Sequence, residues 1–220
     1  MALETIERRP RASSVVADQI RQAILTGNLE DGQALPLAEV AQQLGVSMMP
    51  VREALISLAG EGLVADHGRR GGYRVTALSE QDLADISELH AFIQSALAAR
   101  AAANISADQI AHLRELQEEM QLTASKRHTK KTSAKLQDLN DQFHGTINRS
   151  SPSDMFRIFL RSTLKFMRQD AYLAFPDWAD RTIADHPAIV DALEAGDSEL
   201  AARLMHDHIT GATHLRGCGS

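Results

Sequence analysis

Three residues, Gly45-Val46-Ser47, separate two short helical patterns. In 37–44, Val40, Ala41 and Leu44 share one face, and Gly45 is a good left-handed stop after the last apolar position. In 48–60, Leu55, Leu58 and Ala59 point one way. Ser47 is placed to cap this segment, Pro50 is tolerated in its first turn, and Gly60 closes it. Two short helices joined by a glycine-containing turn form the helix–turn–helix, in which the second helix enters the major groove of DNA. An earlier helix is predicted over 14–26, with Val16, Ile20 and Ile24 in register and Gly27 after it. Downstream, Leu63–Asp66 and Tyr73–Thr76 flank His67-Gly-Arg-Arg-Gly-Gly72, the pattern of a β-hairpin. Arg69, Arg70 and Arg74 concentrate positive charge on that wing, which suits phosphate contact.

Composition agrees with a mainly α chain. Of 220 residues, 44% are hydrophobic but only 4% aromatic, and Ala and Leu outweigh β-branched runs. The length allows one large domain or two small ones. Net charge is −6, which alone does not point to nucleic acid. The charge is uneven, however. Residues 8–77 carry eight Lys/Arg against seven Asp/Glu, whereas 78–220 carry fifteen against twenty. A DNA-reading surface can therefore sit in the first part while the second stays acidic. No apolar run reaches the roughly 18 residues of a membrane span, and the N-terminus lacks an apolar signal core. The single cysteine, Cys218, cannot form an internal disulfide. These features predict a cytoplasmic protein without a membrane partner.

From Ser79 onward the periodicity is helical to the end. The expected organisation is a flexible 1–12, a winged helix–turn–helix domain over 13–77, an all-helical domain over 78–215, and a flexible tail, 216–220. In the second domain, Ile86, Ile93, Leu97 and Ala101 stripe a helix of about 80–103. Ser106-Ala-Asp-Gln109 is a capping box, with Ile105 and Ile110 placed as a staple. Residues 122–134 are polar and are predicted as a loop. Leu136, Leu139, Phe143 and Ile147 mark the next helix, and 154–174 is predicted as one long helix. A turn at Phe175-Pro176 precedes helices over about 180–195 and 197–215, the last capped by Asp197.

Nine histidines make their placement informative. Asn140 and His144 are i and i+4 on one helix, beside the Leu139/Phe143 stripe. His186 opens the penultimate helix, and His208 lies on the last, four residues after Leu204. Three imidazoles and an amide oxygen from three helices can surround a divalent metal in a bundle, and nitrogen-rich ligation suits Zn²⁺ or Ni²⁺. Single histidines beside an apolar face more often serve as core or rim groups, the reading kept for His67, His112, His128, His206 and His214.

The run LAEVAQQLGVSMMPVREALISLAGEGLV, with the wing GRRGGYRV over 68–75, resembles the DNA-binding domain of the GntR family of bacterial transcription regulators. Leu139-Asn140-x-x-Phe143-His144 and DHPAIVDALEAGDSELAARLMHDHI, 185–209, resemble the all-helical ligand domain, FCD, of its FadR-like branch. The resemblance implies a homodimeric regulator, most often a repressor, that binds double-stranded operator DNA and responds to a small carboxylate effector, often held through a metal. It places DNA contacts on Ser47, Met48, Met49, Arg52, Arg69, Arg70 and Arg74, and metal ligands on Asn140, His144, His186 and His208.

The chain departs from the family pattern at several of these positions. Met48 stands where an arginine commonly follows the capping serine, and Ala38 where another is usual in the preceding helix. Asn140 is neutral where an aspartate is frequent. That lowers metal affinity, yet leaves a bound ion its full charge for an effector carboxylate. A frequent Arg/Glu pair is replaced by His90 and Gln94, which are expected to face the effector together with Arg161 and Arg168. Two other readings compete. A metal-dependent enzyme would use three histidines to activate water, but no acid at a motif spacing supplies a base. A DNA-binding dimer with a vestigial cavity would answer to no ligand.

Overall fold

A computed structural model describes residues 12–213 of the chain. The expectations for residues 1–11, the tail, His214 and Cys218 lie outside the described residues, as do the side chains of Arg69 and Arg70. The chain divides into two compact units after Ser79.

The first unit contains α1 (Ala12–Leu25), α2 (Leu37–Leu44) and α3 (Met48–Gly60). Strands β1 (Val64–Asp66) and β2 (Tyr73–Val75) follow, on either side of a helical turn, α4 (Gly68–Gly71). The bounds of α2 and α3 coincide with those read from the sequence. Gly45 takes φ +66°, where any Cβ would be strained, and the Val46 N–H reaches back to the Ala41 carbonyl at 3.0 Å. That closure reverses the chain within three residues. Ser47 occupies the N-cap position of α3, but its side chain makes no capping bond. The strands pair antiparallel with Val64 opposite Val75, so the wing forms as expected, one residue shorter on each strand.

Val16, Ile20 and Ile24 of α1 pack with Val51, Leu55 and Leu58 of α3 in one buried layer. Arg21 sits at the edge of this layer, 4% exposed. Its Nε donates to Glu61 Oε2 at 2.8 Å and its Nη2 to Oε1 at 3.1 Å, a bidentate pair that ties α1 to the end of α3, while Nη1 donates to Asp18.

The second unit is all helical: α5 (Glu80–Ala102), α6 (Ala107–Ala124), α7 (Lys130–Ser150), α8 (Asp154–Leu164), α9 (Ala171–Ala174), α10 (Pro176–Glu194) and α11 (Ser198–Thr213). The capping box of Ser106 and Gln109 forms as read, and Asp197 Oδ1 accepts from the Leu200 N–H at 2.9 Å. Leu113, Leu116 and Met120 of α6 meet Leu136, Leu139 and Phe143 of α7 in a core that Ile189 and Leu193 of α10 complete.

Three expectations are corrected. The predicted loop over 122–134 shrinks to 125–129, because a second capping box, Thr129 with Thr132, starts α7 within the polar run. The predicted single helix over 154–174 breaks after Leu164. There the Phe166 and Met167 N–H groups bond three residues back, and the Asp170 carbonyl receives the N–H of both Leu173 and Ala174. The break carries Ala171 and Tyr172 into the buried core, while Phe159 on α8 is exposed. The penultimate helix begins at Pro176 rather than 180, since proline suits a first helical position.

Replacing Arg21 by Met should take this bidentate partner from the half-buried Glu61 carboxylate and cost about 2 kcal/mol, whereas Arg21→Met with Glu61→Leu should recover most of that loss. Amide exchange in α1 and α3 reads both; equal losses in the two variants would show that the pair does not tie the helices.

Candidate functional site

Pro187 lies inside α10 and has no N–H, so the carbonyl of Ile183, four residues earlier, lacks its helical donor. Gln117 of α6 fills that gap: its Nε2 donates to the Ile183 oxygen at 2.7 Å. With the amide nitrogen so engaged, Gln117 Oε1 faces His186 Nδ1 at 3.1 Å and must accept from it. His186 therefore carries its proton on Nδ1. Its ring also stacks on Phe143, centroids 3.9 Å apart and nearly parallel at 6°. Both contacts fix the ring with Nε2 as an acceptor, and that atom is buried with no hydrogen-bond partner.

His208 of α11 is set similarly. Its Nδ1–H donates to Asp185 Oδ2, 3.3 Å away, which leaves Nε2 with a lone pair. That Nε2 stands 3.2 Å from His144 Nε2. That contact is a hydrogen bond in which the His144 Nε2–H donates, and His144 Nδ1 is buried with no hydrogen-bond partner. One ligand atom from each of His144, His186 and His208 falls within 4.8 Å of the others, and all three residues are buried. Burial is the first cause holding the pKa of His144 and His186 well below the ordinary histidine value, and the neighbouring histidines push the same way. Both are neutral at pH 7, the form that ligates. Three clustered imidazoles, two of them anchored on their outer nitrogens by Gln117 and Asp185, fit a divalent transition-metal ion when His144 takes the tautomer that presents its Nε2 lone pair.

The cluster borders a cavity of about 440 Å³. Asn140, one turn before His144, lines it, and its Oδ1 is buried without a partner, as a donor atom awaiting an electrophile would be. His90 and Gln94 of α5 line the cavity as expected. Thr163 Oγ1 donates to the Leu160 carbonyl, so His90 Nδ1 donates to that oxygen, 2.8 Å away. Gln94 Oε1 has no hydrogen-bond partner. Arg168 reaches the same cavity, held by two 2.9 Å bonds to Asp170 and lying 5.1 Å over the Phe175 ring. Arg161 is not brought there. The helix ends at Leu164, so the i, i+7 relation to Arg168 is broken and Arg161 is left exposed on α8.

Sequence reasoning missed Gln117, Asp185 as the partner of His208, and Asn148, which also lines the cavity with a partnerless Oδ1. Gln117 carried a signal: it is a polar residue on the buried Leu113/Met120 face of α6.

In the first unit, Ser47, Met48, Met49 and Arg52 all lie on the exposed face of α3. Arg74 on β2 is exposed, with Nη1 donating to the Gly32 carbonyl at 2.8 Å.

A winged helix–turn–helix unit followed along the chain by a helical unit with a histidine-lined cavity defines a class of two-domain transcription regulators. Residues 12–73 match the bacterial regulatory proteins of the gntR family, and residues 85–211 match the FCD domain. The chain belongs to the GntR family, in its FCD-containing branch. Among its relatives, a "Probable D-xylose utilization operon transcriptional repressor" of Paenarthrobacter nicotinovorans is 31% identical, the match covering 91% of this chain and 87% of that one. The HTH-type transcriptional repressor RspR of Escherichia coli K12 is 25% identical, over 93% and 90%. The solved structure of E. coli McbR/YncC shares the fold, with a TM-score of 0.69 and 21% identity over 92% of this chain and 95% of that one.

Replacing Gln117 by Leu removes partners from both Ile183 and His186 and should cost about 2 kcal/mol in urea unfolding. In a Pro187→Ala background the new N–H serves Ile183, and the same substitution should cost roughly 1 kcal/mol less. Additive effects would show that proline and glutamine are not coupled.

Proposed function

We propose that this chain is a ligand-responsive transcriptional repressor acting in the cytoplasm. Its homodimer sets two recognition helices in successive major grooves of a pseudo-palindromic operator. Its C-terminal cavity binds a small carboxylate beside a divalent metal, Zn²⁺ or Ni²⁺ being suited to the nitrogen donors. The observation that carries this reading is the clustering of His144, His186 and His208 beside a cavity that His144 and His208 line with Asn140 and Arg168, in a chain whose other unit is a winged helix.

His144, His186 and His208 would hold the ion, with Asn140 as a neutral oxygen donor. When bound, the ion supplies open coordination positions and undiminished positive charge to a carboxylate. Arg168 offers a cation to the same acid, and His90 and Gln94 line the same cavity. The names of the relatives support repression rather than activation. The effector changes operator affinity only as far as it binds one arrangement of the dimer better than the other.

A second copy fits the face formed by α5 and α8, two helices that pack together. Leu89, Phe92, Met155, Ile158 and Phe159 are all exposed on them, a concentration unusual for a monomer's surface. Phe92 meets Phe156 edge-on at 6.3 Å, joining the two helices' apolar residues. The same face on a partner would cover it symmetrically.

Thermal unfolding against a panel of small carboxylates, with metal-loaded and chelated protein, tests the proposal. One acid at 100 times its Kd should add about 2.7 kcal/mol of stability, and the gain should vanish on chelation or in His144→Ala. A gain that survives chelation contradicts the metal; no gain with any acid contradicts the effector.

A further inference from the structure

The exposed face of α3 is unusually apolar for a surface that meets DNA. Met48 is 57% exposed, Met49 66% and Ile56 57%. Met48, Arg52 and Ile56 follow at i, i+4 and i+8, so they form one line along the helix with Met49 beside its start. The buried face is complete without them: Val51, Ala54, Leu55 and Leu58 fill the core. Nothing in the folding of this unit requires large apolar groups at 48 and 49.

In a helix–turn–helix domain the N-terminal residues of the second helix contact base edges. Met48 and Met49 are the first two residues of α3, directly after Ser47 at its N-cap. A thioether side chain offers no strong donor to guanine N7 or O6 and no strong acceptor to cytosine N4. Against those edges it would strip polar groups of water and leave them unpaired. The major groove has one apolar base group, the C5-methyl of thymine. Methionine is flexible and polarisable, and it packs readily on such a group. Arg52, one turn further on and exposed, keeps the donor fork that matches guanine.

We infer that Met48 and Met49 read thymine methyl groups, so each operator half-site carries thymine under the first turn of α3, next to the base pair read by Arg52. This rests on the DNA-binding reading of the first unit and goes beyond it by naming the bases recognised. Arginine at position 48 would select guanine instead, so the same fold would serve a different operator.

The test uses the full-length protein. A preferred duplex is selected from a random pool, and each thymine is then replaced singly by deoxyuridine, which lacks only the methyl. One or two positions in each half-site should lose about fourfold in affinity, the weight of one buried methyl group. Met48→Ala or Met49→Ala should abolish that sensitivity at one of the positions, and Met48→Arg should reselect guanine there. Both residues are exposed, so the fold should tolerate the changes; an unaltered circular dichroism melt checks this. The inference is overturned if every deoxyuridine duplex binds like its parent, if the sensitivity survives both alanine variants, or if the selected half-site holds no thymine. The first of these would assign the exposed methionines to a protein contact. A pool that yields no duplex overturns the DNA-binding reading itself, an outcome distinct from the other three, and this inference falls with it.

Discussion

A proline within α10 sets the geometry on which the site depends. By denying the Ile183 carbonyl its helical donor, Pro187 creates a buried acceptor that some other group must satisfy. Gln117 satisfies it from α6 and is thereby turned so that its own oxygen takes the His186 proton. A helix defect of this kind is costly in isolation. Here it becomes a hydrogen-bonded chain through three residues that orients one imidazole and joins α6 to α10. The stacked ring of Phe143 closes the other side, so His186 has little freedom left.

The same logic extends to the charge state of the cluster. Burial first, and the neighbouring histidines after it, oppose protonation of His144 and His186. Both stay neutral, while Gln117 accepts from His186 Nδ1 and Asp185 from His208 Nδ1, which leaves the lone pairs of His186 and His208 inward. His186 Nε2, His144 Nδ1 and Asn140 Oδ1 are buried without hydrogen-bond partners. A divalent ion would take up the inward lone pairs of His186 and His208 together with Asn140 Oδ1.

Much of this could be read before any coordinates. Periodicity and the Gly45 stop placed α2 and α3 to the residue, because a left-handed glycine acts within one turn of itself, although the Ser47 side chain makes no capping bond. The histidines and Asn140 were marked by their spacing and by resemblance to a family. What escaped were effects that need a third dimension. The split of the predicted 154–174 helix follows from the burial of Tyr172 and the Arg168–Asp170 pair, neither of which disturbs the apolar spacing. Arg161 was drawn into the effector set only because an unbroken helix would have aligned it with Arg168. Gln117 looked like one polar residue on an apolar stripe, and its meaning came from a carbonyl on another helix. The Thr129 capping box was hidden in a run whose polarity resembled a loop.

The tautomers of the three histidines give the most direct check. Long-range ¹H–¹⁵N correlation on ¹⁵N-labelled, metal-free protein at neutral pH distinguishes a protonated Nδ1 from a protonated Nε2. His186 and His208 should both carry their proton on Nδ1, and His186 should shift to a mixture of tautomers in Gln117→Leu. If His186 were protonated on Nε2 in the wild type, its lone pair would face Gln117 and not the cluster. The three-histidine ion site would then be wrong.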